Sequence, residues 1–248
     1  MLEQIPFHLQ KFKILSHEAD IHNCANLYSL VNYMHESGRS HAHKLGWGVQ
    51  LLKTKQQFWV LSRMIVTVDK YPTTGTTIEI ETWPKDKDRI FALRDFLVRQ
   101  KGEIIARGTS SWALLQLPNR RPASLNDFGE IMSVRKDMHA IEEAPEKLRS
   151  LKNPDATFTH KVVFSELDQN AHVNNGRYIN WLMDTFPTEF HRTNRVQSMQ
   201  LNYLAEVFPD QALKINRQEI SANTYLFEVT DSELKVLFRS KLVFKRKG

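Results

Sequence analysis

A single cysteine, Cys24, stands in a chain of 248 residues, which excludes an intrachain disulfide and any multi-cysteine metal site. Alone, Cys24 reads as a small buried apolar residue, because a thiol nucleophile needs a neighbouring base and the sequence indicates none. Long apolar runs are also missing: no stretch approaches the roughly 20 residues that cross a bilayer. The opening Met1-Leu-Glu-Gln-Ile-Pro-Phe-His8 has neither the basic start nor the apolar core of a secretory signal. It is not rich in Ser and Arg, as organelle transit peptides are. The expectation is a mature chain that starts here and works in the cytoplasm, away from membranes.

Dense basic runs are scarce too. The net charge of +6 favours acidic partners by long-range attraction, but Arg120-Arg121 and Lys245-Arg246-Lys247 are short and the other cations are scattered. A nucleic-acid surface would cluster them and interleave aromatics. No nucleic-acid partner is expected, and a small acidic protein fits the charge as well. Hydrophobic residues at 41% and charged residues at 25% suffice for a packed core, so wholesale disorder is excluded. The length allows one large domain or two of about 120 residues.

The pattern favours two. Leu27, Leu30, Val31 and Met34 fall at helical spacing on one face, with Gly38 as a stop. Ile179, Leu182, Met183 and Phe186 repeat that spacing before Pro187, and Asn174 and Asn175 stand where helix caps belong. A shift of 148 positions carries Asp20 to Asp168, Asn26 to Asn174, Val31 to Ile179, Asn32 to Asn180 and Tyr33 to Trp181.

Strand-like text follows each helix. In the first half it runs over residues 57–69, 76–83, 91–99 and 103–117, with turns at Gly75 and Lys101-Gly102. In the second half it includes Met199, Leu201 and Tyr203; Leu213 and Ile215; Tyr225, Phe227 and Val229; and residues 234–244. Residues 12–15 and 161–164 are candidates for a strand before each helix. Short turns between consecutive strands imply antiparallel sheets. The chain is therefore expected to be α+β: two tandem domains, each an antiparallel sheet wrapped around one long central helix, and paired with each other as an internal pseudo-dimer. The expected boundaries are 1–130, a connection at 131–155 with a short helix near 141–151, and 156–248. Whether the fused pair dimerises again stays open.

The stretch Asp168-Gln-Asn170-Ala-His172-Val-Asn174-Asn175-Gly-Arg-Tyr178-Ile-Asn-Trp181 resembles the signature of the acyl-acyl carrier protein thioesterases, D-x-N-x-H-V-N-N-x-x-Y-I-x-W. The resemblance implies two hot-dog domains in one chain and hydrolysis of fatty-acyl thioesters of acyl carrier protein, ending fatty acid synthesis. It also implies a catalytic glutamate on a strand after the helix, in a context like L-x-Y-x-x-E-C. Here that context reads Leu201-Asn-Tyr203-Leu-Ala-Glu206-Val207. Val207 stands where many plant-type members have cysteine, which excludes a cysteine nucleophile there and favours attack by water. Without a transit or anchoring segment, the chain resembles the bacterial-type members.

Thioester hydrolysis needs a positioned water, a base and donors for the oxyanion. Asp168, Asn170 and His172 are two apart, so in extended chain all three would share a side, with a helix start near Asn174. Under the resemblance Glu206 is the base, Asn170 holds the water or donates to the oxygen, His172 assists proton transfer or polarises the carbonyl, and Asp168 anchors Asn170 or His172. Glu206 and His172 could exchange roles. In the first half only Asp20 matches, with His22 and Cys24 at the positions of Asn170 and His172. That half is expected to bind the acyl chain, with Trp47, Trp59 and Met64 as candidate lining. His41 and His43 lack a nearby carboxylate or thiol partner and make a poor metal site. Neither metal nor cofactor is expected. The rival readings are a coenzyme A thioesterase, a hot-dog dehydratase and a non-catalytic acyl-binding regulator. The last would need a DNA-binding module, and no helix-turn-helix is visible.

Overall fold

Among the described residues, runs rich in Val, Ile, Phe and Trp form ten strands, because branched and aromatic side chains pack well on a pleated surface. The computed structural model describes residues 7–126 and 138–247. The chain divides into two compact units, Met1–Pro145 and Glu146–Gly248. In the first unit the strands are β1 (His8–Lys13), β2 (Gln57–Val68), β3 (Thr77–Asp88), β4 (Phe91–Gln100) and β5 (Glu103–Gln116). They pair antiparallel in the order β1-β3-β4-β5-β2. In the second unit, β6 (Ala156–Lys161), β7 (Asn194–Tyr203), β8 (Ala212–Ser221), β9 (Thr224–Thr230) and β10 (Val236–Arg246) pair in the order β6-β8-β9-β10-β7. Strand for strand, this is the same topology. The fold is the antiparallel hot-dog arrangement expected from the sequence. Lys101 (φ 51°) and Gly102 (φ +85°) both take left-handed backbone, the geometry of a two-residue hairpin between β4 and β5.

Helix α1 (Leu27–Lys44) packs against β1 and β3. Asn26 caps it by accepting Ser29 N–H at 2.8 Å. Leu27, Leu30, Val31 and Met34 are buried as the spacing predicts, each stabilising the unit by about 1.5–3 kcal/mol. Gly38 does not stop this helix. It lies inside it, where a Cβ would come within 3.1 Å of Arg94 Cδ and 3.4 Å of Phe96 Cε1. The missing side chain permits close packing, and the helix runs on to Lys44.

The second helix, α3, covers only Arg177–Met183, 7 residues against the 18 of α1. It starts three positions beyond Asn174, whose side chain accepts the N–H of Gly176 at 2.9 Å. Arg217 then holds the Thr185 carbonyl, and its guanidinium lies 4.3 Å from the Phe186 ring centroid. Pro187 begins a separate short helix, α4 (Thr188–Thr193). Helix α2 (Val49–Thr54) and α4 were not foreseen. The strands before α1 and α3 sit earlier than expected, because Ser16–Glu18 and Phe164–Glu166 are turns of 3-10 helix.

Of the expected connection at 131–155, residues 131–137 lie outside the described ones. Residues 141–151 form no helix: Pro145 interrupts them, and their backbone groups are taken by side chains. In the first unit Lys85, buried beside Asp95 at 3.9 Å, donates to the carbonyls of Ile141 and Glu142. Asp95 Oδ2 accepts Ala140 N–H, and Arg63 donates to Pro145 O. In the second unit Asn202 accepts Leu148 N–H at 2.7 Å and donates to Glu146 O at 3.0 Å. Arg239, paired with Glu228 at 2.8 Å, donates to Leu148 O and Ser150 Oγ.

Candidate active site

Asp168 to His172 is a closed loop rather than an extended strand. Asp168 N–H donates to His172 O at 2.7 Å, and Ala171 N–H donates to Asp168 O at 3.0 Å. Ala171 takes φ 59° to allow this. The Asp168 carboxylate fills the loop, accepting the N–H groups of Asn170 at 2.8 Å and His172 at 3.2 Å. Side-chain capping of this kind is what short acidic side chains do in turns. Asp168 therefore fixes backbone. The side chains of Asn170 and His172 do not line up with it, as alternation along a strand would require. The Asn170 amide is exposed, with its Nδ2 at 3.5 Å from Asp168 Oδ2.

Glu166 secures the loop from behind. One carboxylate oxygen accepts the Trp181 indole N–H at 2.6 Å, and the other accepts Val163 N–H at 3.0 Å and faces His160 Nε2 at 3.0 Å. Burial pushes the Glu166 carboxyl up, but the bonds from Trp181, Val163 and His160 outweigh it and hold the group below its ordinary value. The sequence reading missed Glu166, although the 148-position shift pairs it with Glu18.

Glu206 arrives from the end of β7. There the chain bends as the N–H groups of Leu204 and Ala205 both donate to Leu237 O, at 2.9 and 3.1 Å. Val173 N–H donates to Val207 O at 3.0 Å, and Tyr203 Oη donates to Asn175 O at 2.8 Å. These bonds bring Glu206 Oε1 to 3.6 Å from His172 Nδ1, with both side chains over a quarter exposed. That is slightly beyond a hydrogen bond. Phe208 stands edge-on to the His172 ring at 5.1 Å. Burial, reinforced by the Glu206 charge, pushes the Tyr178 phenol above its ordinary value and keeps it neutral. Val207, at the position of the plant-type cysteine, is 1% exposed and contributes its carbonyl.

The first unit repeats this loop bond for bond. Asp20 N–H donates to Cys24 O at 2.8 Å, Asn23 N–H to Asp20 O at 3.0 Å, and Asp20 Oδ1 accepts His22 N–H at 2.9 Å and Cys24 N–H at 3.4 Å. Asn23 takes φ 57°, and Glu18 accepts Leu15 N–H at 2.8 Å. Ala25 N–H donates to Pro72 O as Val173 does to Val207, while Asp69 and Lys70 share the Ile105 carbonyl as Leu204 and Ala205 share that of Leu237. This bonding sets Tyr71 at the position of Glu206. Template and chemistry are thus separable: His22, Cys24 and Tyr71 occupy the places of Asn170, His172 and Glu206.

Trp47 and Trp59 come together in an apolar cluster with Leu45, Leu52, Leu114, Ala123 and Leu125. Met64, wholly buried on β2, is not part of it. His41 is buried with Nδ1 at 3.1 Å from Arg94 Nη1, whereas His43 is exposed. No group of three or more His, Cys, Asp or Glu side chains able to hold a metal occurs among the described residues.

Two family models match the chain: the acyl-ACP thioesterase N-terminal domain over residues 7–133 and the C-terminal domain over residues 151–242. A chloroplastic palmitoyl-acyl carrier protein thioesterase of Arabidopsis thaliana is 31% identical over 207 residues, covering 77% of this chain and 50% of that protein. A chloroplastic dodecanoyl-[acyl-carrier-protein] hydrolase of Umbellularia californica is 31% identical over 204 residues, covering 77% of this chain and 53% of that protein. The chain spans about half the length of such curated relatives. Among solved structures, an acyl-ACP thioesterase from Bacteroides thetaiotaomicron superposes with TM-score 0.89 at 29% identity, covering 99% of this chain and 100% of the other. The 12:0-ACP thioesterase from Umbellularia californica superposes with TM-score 0.87 at 28% identity, covering 97% and 98%.

Proposed function

The chain belongs to the acyl-ACP thioesterase family, and from that membership we propose that it hydrolyses fatty-acyl thioesters of acyl carrier protein. The products are the free fatty acid and the carrier thiol, which ends elongation of the acyl chain. The observation that carries the reading is the approach of Glu206 Oε1 to His172 Nδ1 at 3.6 Å, in front of a loop whose backbone is locked by Asp168.

Glu206 acts as general base. It takes a proton from water as the water oxygen bonds to the thioester carbon, and the carbonyl oxygen becomes an oxyanion. The Asn170 amide holds the water or donates to that oxygen, and His172 donates to the developing charge. Collapse re-forms the carbonyl, breaks the C–S bond and expels the thiolate, which recovers the proton from Glu206. Asp168 positions both partners through backbone N–H groups. The 3.6 Å gap suits this task, since catalytic contacts often close only around bound substrate. In this reading residues 1–130 bind the acyl chain, with Trp47, Trp59 and Met64 among its lining, and residues 156–248 carry the chemistry. The setting proposed is the cytoplasm, with no membrane or nucleic-acid partner.

The test is release of free fatty acid from a panel of acyl-carrier thioesters, with matched coenzyme A thioesters and Glu206→Ala alongside. Release from the carrier series that is lost in the variant supports the reading. Activity on coenzyme A thioesters alone moves the chain to that substrate class. No acid from either series overturns the hydrolase assignment.

A further inference from the structure

The two units share one more piece of backbone bonding, and their side chains differ around it. Val162 N–H donates to Gln211 O at 3.0 Å and Asp210 N–H donates to Val162 O at 3.2 Å, so the turn at 163–166 lies beside the loop at 208–210. In the first unit Ile14 makes the same pair of bonds with Thr76 and Gly75, at 2.9 Å each. Asp210 and Gly75 share the left-handed backbone, at φ 62° and +81°. The positions therefore correspond, and the side chains do not: exposed Ser16 and Thr73 and half-buried Thr74 in the first unit become Phe164, Phe208 and Pro209 in the second. Leu15 and Val163 are apolar in both.

Phe164 is 89% exposed, Phe208 48% and Val163 49%. Ser16 shows that the turn forms without an aromatic, so local folding does not account for Phe164. A cluster of exposed aromatics and aliphatics is the usual mark of a protein contact. Val163, Phe164 and Pro209 line one furrow with Leu167, Lys161 and Asp210, and Phe208 reaches from its edge to the His172 ring. Two cations flank it. Arg177 pins the turn by donating to Ser165 O at 3.1 Å and stands where the first unit has Ser29. Lys161 is paired with Asp210, but both are well exposed, at 68% and 82%, so this pair is readily exchanged for a partner's carboxylate.

We propose that the face formed by Val163, Phe164, Phe208 and Pro209, flanked by Lys161 and Arg177, docks the acidic carrier protein that delivers the thioester. The inference rests on the hydrolase reading above and adds the surface where the partner binds. Apolar contact supplies the anchor beside His172, and the two cations complement an acidic ridge on the carrier.

The experiment compares the full chain with Phe164→Ser, which installs the side chain that the first unit tolerates. Each is assayed with an acyl-carrier thioester and with the same acyl group on pantetheine. The expected result is a KM for the carrier thioester raised about tenfold or more, the scale of losing one aromatic anchor. The kcat should hold, and the pantetheine kinetics should not change. Lys161→Glu should raise the same KM by a smaller factor and flatten its salt dependence. An unchanged carrier KM overturns the proposal, as does an equal loss on both substrates. Dissociation of a larger species in Phe164→Ser, seen by light scattering, would mean that a second copy covers the face, and would also overturn it. If the unaltered chain hydrolyses neither thioester, the hydrolase reading fails separately. Docking is then decided by titrating labelled holo-carrier: binding weakened about tenfold in Phe164→Ser supports the face, and equal or absent binding removes it.

Discussion

Asp20 and Asp168 each close a short loop by accepting two backbone N–H groups, and each loop is backed by a glutamate, Glu18 or Glu166, that accepts a third. Around the first loop stand His22, Cys24 and Tyr71, with Ser16 and Thr73 outside. Around the second stand Asn170, His172 and Glu206, with Phe164 and Phe208 outside. One backbone device serves both units, so the aspartates answer for stability and the neighbouring side chains for whatever chemistry is done. A carboxylate inside a family signature can thus hold backbone while its neighbours are the ones proposed to react.

The two units should differ most at the residues proposed to react. Glu206→Ala and His172→Ala should each lower kcat for acid release by about a hundredfold or more. Tyr71→Ala and Cys24→Ala, at the matching places, should stay near the unaltered rate. Equal losses in both units would refute the division of labour. Next come the anchors. Asp20→Ala and Asp168→Ala should each lower stability in denaturant titration by about 1–3 kcal/mol, the cost of orphaning loop donors, but only Asp168→Ala should also slow turnover. The smallest effect is expected at Glu166. Its carboxyl is held below its ordinary value, so its stabilising contribution is complete above the ordinary carboxylate range and fades as pH falls through the lowered value. Glu166→Gln should remove that acid-side loss, leaving a flatter melting profile against pH and a stability lower by about 1 kcal/mol at neutrality.

Features with a period were legible in the sequence. The α1 stripe, the paired antiparallel order and the turns at Gly75 and Lys101-Gly102 follow from spacing and from backbone demands that few residues meet. Gly38 misleads because its role is contact between the helix and Arg94 and Phe96 of β4, which no local pattern reveals. The early end of α3 depends on Arg217, far along the chain, holding Thr185 O. The loop at Asp168 read as a strand because alternation at three positions cannot be told from an acidic turn until the left-handed Ala171 is seen. Glu206 was found through its motif context, but its counterpart Tyr71 emerged only from matching bonds at Ile105 and Leu237. Phe164 carried no signal, since one aromatic in a turn has no period.

The segment between the two family-matched regions is gripped by its carbonyls: Lys85 takes those of Ile141 and Glu142, Arg63 that of Pro145, Asn202 that of Glu146 and Arg239 that of Leu148. A carbonyl is the same on every residue, so this clasp measures chain length and is blind to side chains. Substitutions at the exposed Glu142, Glu143, Glu146 and Lys147 should be tolerated, whereas adding or deleting a residue between Ile141 and Pro145 would move carbonyls off Lys85 or Arg63. Within each unit, then, the segment is held by the spacing of its backbone.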